Sequence, residues 1–99
     1  MLVHVVLFWL KKDLDADQIS AFRKGVDSLT HIKSAEAAYV GTVAETPERP
    51  VIDTSYDVCL TVICKDVAAH NTYQVDPIHT DFLDQFKGYW EKVKICDAD

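Results

Sequence analysis

His79 stands two residues after Pro77 and three after Asp76, and Tyr73 lies six residues before it. An aspartate able to cap, followed by a proline, opens a helix at Pro77 and puts His79 in its first turn. There the positive end of the helix dipole disfavours imidazolium, so the ring is expected to be neutral near pH 7 and able to accept a proton. Tyr73 ends the preceding helix, and across the proline break its hydroxyl could meet the ring. It could then hydrogen-bond an enolate oxygen while His79 removes an α-proton. Such a pair suffices for enolisation or an aldol-type cyclisation with no cofactor. The plain alternative is a His and a Tyr that satisfy each other beneath the helix.

His4 alternates onto the same strand face as Val6 and Phe8. It is expected to line the pocket, although a lone histidine on an apolar face is more often a hydrogen-bonded core residue. Tyr56 and Trp90 could wall a flat ligand, but aromatics at strand positions usually belong to the core. His31 falls at a helix end and reads as a cap or a solvated residue. His4, His31, His70 and His79, with three scattered cysteines, show none of the spacing that converging metal ligands need, so no metal is expected. A serine nucleophile with its oxyanion turn, a glycine-rich phosphate loop and a basic aromatic patch are all missing from the sequence. The acidic end, Asp97 and Asp99, reads as a solvated tail.

The elements that must position these residues follow from the pattern of apolar residues. Leu2 to Leu10 is apolar on both faces apart from His4, and reads as a buried strand. It is too short to span a bilayer, and Lys11-Lys12 follows it where a signal peptide needs its charge in front. Asp15 and Gln18 have capping-box spacing, with Ile19, Phe22, Val26 and Leu29 at helical intervals. Gly25 inside that helix suggests close packing, since it costs about 1 kcal/mol against alanine. A weaker strand spans Ala35 to Ala44, a long loop with two prolines Glu45 to Thr54, and a clear strand Tyr56 to Cys64. Asp66 caps a short helix through Tyr73, and Asp76-Pro77 starts another with Ile78, Phe82, Leu83 and Phe86 on its apolar side. Gly88 is expected to stop it. Tyr89 to Cys96 is the last strand, with Tyr89, Val93 and Ile95 facing one way.

Strand, helix, strand, strand, helix pair, strand is the order of an α+β, ferredoxin-like domain: a four-stranded antiparallel sheet with helices on one face. One domain over residues 1–99 is expected. The other sheet face, carrying Cys59, Thr61 and Ile63, would stay bare and apolar, so a second copy should cover it and make a homodimer.

The segments V-H-V-V-L-F at 3–8, A-Y-V-G at 38–41, Y-D-V-C-L-T-V at 56–62, D-P-I-H at 76–79 with Phe82, and Y-W-E-K-V at 89–93 resemble the stress-responsive A/B barrel family. The resemblance covers essentially the whole chain and implies a dimeric α+β barrel, two such sheets packed face to face. The C-terminal half is similar to plant polyketide cyclases of the olivetolic-acid type, including the spacing from Tyr56 to His79. That similarity implies a catalytic pair at Tyr73 and His79 and a pocket histidine at His4; Val6, Val58, Leu60 and Phe82 are expected to line the same pocket. The sequence departs at Val58, where the cyclase has another pocket histidine.

Composition limits the partners. Ten basic against sixteen acidic residues leave a net charge of −6, with six and seven in residues 1–50 but four and nine in residues 51–99. Such a surface repels phosphates, so neither nucleic acid nor an anionic membrane is an expected partner. Cys59 and Cys64 are five apart in one strand and face opposite ways, so they cannot bridge each other; reduced thiols in a cytoplasm are the expectation.

Three functions remain open at this stage. One is a small cofactor-free enzyme acting on a polyketide-like or other hydrophobic or aromatic molecule. Another is a non-catalytic stress-response or ligand-carrier protein. The third is a cofactor-independent monooxygenase-like barrel, which would need Asn71, His70 or Trp90 in an open pocket.

Overall fold

In the computed structural model, which describes residues 1–99, the chain runs β1 (Leu2–Leu10), α1 (Ala16–Ser28), a 3-10 turn (Leu29–His31), β2 (Ala35–Gly41), β3 (Val58–Cys64), α2 (Val67–Val75), α3 (Pro77–Phe86) and β4 (Trp90–Ala98). The four strands form one antiparallel sheet in the order β2-β3-β1-β4, the expected α+β, ferredoxin-like arrangement. No helix is long and apolar enough to cross a membrane.

Local chemistry explains most of the boundaries. The Asp15 side chain accepts from the Gln18 backbone N–H at 2.8 Å, and the Gln18 side chain accepts from the Asp15 N–H at 2.9 Å, so two orphan donors of α1 are satisfied together. Asp76 serves two helices: its N–H donates to the Tyr73 carbonyl, ending α2, and its carboxylate accepts from the Ile78 N–H at 2.9 Å, starting α3. Its ψ of 138° is the extended backbone that a following proline imposes, and it turns one helical run into two.

Several boundaries differ from the sequence reading. β2 stops at Gly41, not Ala44, because Gly41 pairs with Cys59 and β3 begins one residue earlier, leaving residues 42–44 no ladder partner. For the same reason Tyr56 lies outside β3. Gly88 is not a left-handed stop; α3 ends by ordinary backbone bonds from Lys87 to the Leu83 carbonyl and from Tyr89 to the Phe86 carbonyl. Ile19 is 41% exposed, on the rim of a depression it shares with Leu10 and Leu14.

The inward face of β1 carries Leu2, His4, Val6, Phe8 and Leu10, and that of β3 carries Val58, Leu60, Val62 and Cys64; all are buried under the helices. Phe22 and Val26 of α1 and Phe82 and Phe86 of α3 close over them. The expected tight packing at Gly25 is present: a Cβ there would stand 2.3 Å from the Phe86 ring. On the opposite face Val3, Val5, Leu7, Cys59, Thr61 and Ile63 are only half-buried and no element covers them. Tyr39, 67% exposed, continues that surface across β2.

Candidate functional site

His4 sits mid-strand on β1, where pairing sets it directly opposite Asp97 of β4. Its ring is buried, and Nδ1 donates to Asp97 Oδ1 at 2.5 Å. That bond satisfies one nitrogen of a histidine that would otherwise be costly to bury. Asp97 is therefore a structural partner and not the solvated tail expected, because β4 extends two residues beyond Cys96 and keeps its inward alternation through Val93, Ile95 and Asp97.

The helices bring the other rings over this point. His70 and Tyr73 project from α2, with ring centroids 4.9 and 5.9 Å from that of His4. Across the Asp76 break, the His79 ring meets Tyr73 edge-on at 5.1 Å. Tyr73 Oη and His79 Nδ1 are both buried and neither has a hydrogen-bond partner in the protein, so the two do not satisfy each other. Burial first, and then the neighbouring His4, push the His79 pKa below its ordinary value, against an opposing pull from Asp76. A neutral ring was expected, but exclusion from water is the main cause. Burial, with a smaller contribution from Cys64, raises the Tyr73 pKa far above the usual phenol range, so its hydroxyl is a donor and not a base.

His4, Tyr73 and His79 line one cavity of about 220 Å³ between sheet and helices. Val6, Leu60 and Phe82, all expected there, form its apolar wall. Trp90, Val93 and Ile95 of β4 complete it, together with Gln74. Trp90 reaches this side because the β1–β4 register shifts between Trp9 and Leu10, placing Leu10 opposite Trp90 while Phe8 faces Val93. Tyr56, the other expected aromatic wall, is absent from the lining.

Val58 shares the buried face but lines a different depression, of about 310 Å³, with Leu10, Lys11, Arg23 and Asp57. Asp57 in that depression is already engaged by the Leu10 N–H at 2.8 Å, while the buried Arg23 Nε has no partner. Asn71 is exposed on α2 and His70 lies outside the lining, so only Trp90 of the residues a monooxygenase-like pocket would need is in place. His31 is exposed at the end of the 3-10 turn.

Sequence spacing also failed to anticipate one cluster. His4, His70 and Asp97 converge from β1, α2 and β4, with their ligand-type atoms all within 4.8 Å of one another. Spacing along the chain gave no sign of this convergence, because sheet pairing and helix placement join positions that no local motif links.

No match to this chain was found among the curated proteins. Among solved structures, the At3g17210 protein of Arabidopsis thaliana is similar at 22% identity, with a TM-score of 0.81 over 100% of this chain and 94% of that one. A dimeric ferredoxin-like protein of unknown function from Thermobifida fusca is 15% identical, with a TM-score of 0.78 over 98% of this chain and 88% of the other. A hydroxynitrile lyase from Passiflora edulis is 17% identical, with a TM-score of 0.80 over 98% of this chain and 90% of the lyase. These likenesses are of fold. The family model described as the stress responsive A/B barrel domain matches residues 2–99, and the chain belongs to that family.

Proposed function

We propose that this protein is a homodimeric α+β barrel whose cavity binds a small hydrophobic or aromatic molecule bearing a carbonyl, and that Tyr73 and His79 carry out a cofactor-free proton transfer on it. The observation that carries this reading is the pair of buried, unpartnered polar atoms, Tyr73 Oη and His79 Nδ1, on residues that line one apolar cavity. Leaving such groups unsatisfied costs about 1–3 kcal/mol each; a bound carbonyl oxygen accepts from the Tyr73 hydroxyl, and the His79 lone pair stays free to take a proton. A cavity of about 150 Å³ holds benzene, so about 220 Å³ suits a single substituted ring.

In the reaction, the neutral His79 imidazole takes a proton from the carbon next to the carbonyl. The C–H electron pair moves into the enolate, whose oxygen Tyr73 stabilises by hydrogen bonding. Where a second carbonyl lies within the same molecule, the enolate carbon attacks it. The alkoxide formed then takes the proton back from the imidazolium, so the step consumes no cofactor. One neighbour of this fold is described as a lyase, which supports catalysis on this scaffold without transferring that reaction here.

The homodimer reading rests on the half-buried apolar face of β1 and β3 and on the dimeric description of a neighbour of the same fold. The functional test is α-proton exchange of monocyclic aryl ketones in D2O, followed by NMR, beside ligand-observed binding of the same compounds. Wild type should bind and exchange them. His79→Ala should bind but lose exchange, and Tyr73→Phe should lower affinity about tenfold, one hydrogen bond's worth. Binding without exchange in wild type leaves a ligand carrier; affinity indifferent to both substitutions removes this pocket from the reading.

A further inference from the structure

We propose that His4, His70 and Asp97 form a site for a transition-metal dication of the zinc class, next to the cavity that His4 also lines. His4 Nδ1 lies 2.5 Å and His70 Nε2 4.0 Å from the same oxygen, Asp97 Oδ1. In a tetrahedral site with bonds of roughly 2.0–2.1 Å, adjacent ligand atoms stand about 3.3 Å apart. The first pair has to open and the second to close, each by less than about 1 Å, and the two histidine nitrogens, within 4.8 Å of each other, have to close by up to about 1.5 Å, which side-chain torsions on the partly exposed His70 and Asp97 supply.

The bonding around His70 is already that of a ligand. Its Nδ1–H donates to Asn71 Oδ1 at 3.3 Å, and its Nε2 accepts from Gln74 Nε2 at 3.1 Å. The lone pair thus sits on the nitrogen nearer Asp97, with an oxygen partner on the other side, as metal-binding histidines usually have. Gln74 gives up that lone pair when the ion arrives. His4 moves its proton from Nδ1 to Nε2, and the ion takes the proton's place between imidazole and carboxylate.

Two imidazoles and one carboxylate suit Zn2+, Co2+, Ni2+ or Fe2+, whereas Mg2+ and Ca2+ prefer oxygen throughout. The Asp97 side chain is 41% exposed, so the site opens to solvent and a fourth position remains for water or a ligand oxygen. Neither Tyr73 nor His79 is a ligand, so the site stands apart from the proton-transfer reading although His4 belongs to both.

The test is titration of the intact protein, its accessible thiols Cys59 and Cys96 alkylated beforehand, with Co2+ followed by visible absorption and with Zn2+ followed by calorimetry. One ion per chain is expected, with shifts in the His4 and His70 ring signals by NMR. His70→Ala and Asp97→Asn should each weaken Zn2+ binding by about 100-fold or more, since losing only an outer partner of a ligand costs roughly 10- to 100-fold. His31→Ala should leave it unchanged. His70 is half-buried, its side chain 14% exposed, so circular dichroism of its variant beside the titration separates loss of the site from loss of folding. Absence of binding at 100-micromolar Zn2+, or binding indifferent to His70→Ala, overturns the proposal. Ketone exchange measured in chelator addresses the other reading separately, so either can fail alone.

Discussion

His4 and Asp97 are 93 positions apart in the chain, yet Nδ1 of one donates to Oδ1 of the other at 2.5 Å across the β1–β4 ladder. The bond ties the last strand to the centre of the sheet and satisfies a histidine that is 2% exposed. Asp97→Ala leaves that nitrogen without its partner. Because Asp97 is partly exposed and screened, the loss should be moderate, about 1–2 kcal/mol. Urea unfolding followed by circular dichroism measures it; a midpoint equal to wild type would show that the pair contributes nothing.

The depressed His79 pKa makes stability depend on pH. As pH falls through the unfolded-state value of about 6.5, the unfolded chain takes up a proton that the folded, neutral ring does not. Stability should therefore decline below about pH 6.5, until the folded ring also protonates at its lower pKa. His79→Gln should flatten that part of the profile. Catalysed exchange should fall with acid in the same direction, beginning at the lower pKa of the folded ring.

Gly25 of α1 packs directly against Phe86 of α3, where an added Cβ would lie 2.3 Å from the aromatic ring. Alanine gains about 1 kcal/mol in helix propensity over glycine, but overpacking costs about 1–3 kcal/mol. Gly25→Ala should be net destabilising, by up to about 2 kcal/mol, and Phe86→Leu in the same chain should return part of the loss. A stabilised Gly25→Ala protein would mean that α1 and α3 are further apart than described.

The bare sheet face gives the assembly test. Light scattering at micromolar concentration should report twice the chain mass of 11.2 kDa. Ile63→Lys puts a charge in the middle of that half-buried apolar face and should yield monomer or aggregate. A wild-type monomer would refute the dimer.

The thiols should label in a fixed order. Cys96 is exposed, Cys59 half-buried on the outer sheet face, and Cys64 buried, with burial first and nearby acidic groups second raising its pKa. Alkylation followed by mass spectrometry should modify Cys96 first and Cys64 only on unfolding. Early modification of Cys64 would contradict its inward position.

Local physics made much of this protein readable in its sequence. Capping by Asp15, Asp66 and Asp76 and the proline break depend on neighbours within a few residues, so the helix starts are as expected. Strand alternation put His4, Val6 and Leu60 on one face and Cys59, Thr61 and Ile63 on the other for the same reason. The inward series Val93, Ile95, Asp97 was present too, and its last member was missed because two aspartates near a chain end look like solvated charge. What only the tertiary structure decided depends on pairing between distant segments. The register of β1 against β4 sets Asp97 opposite His4, and a register shift turns Trp90 inward. The reach of β2 is limited by where β3 begins, and Val58 falls to a second depression by its position along a shared face. The convergence of His4, His70 and Asp97 needs all three of strand order, register and helix placement, none of which a spacing along one chain encodes.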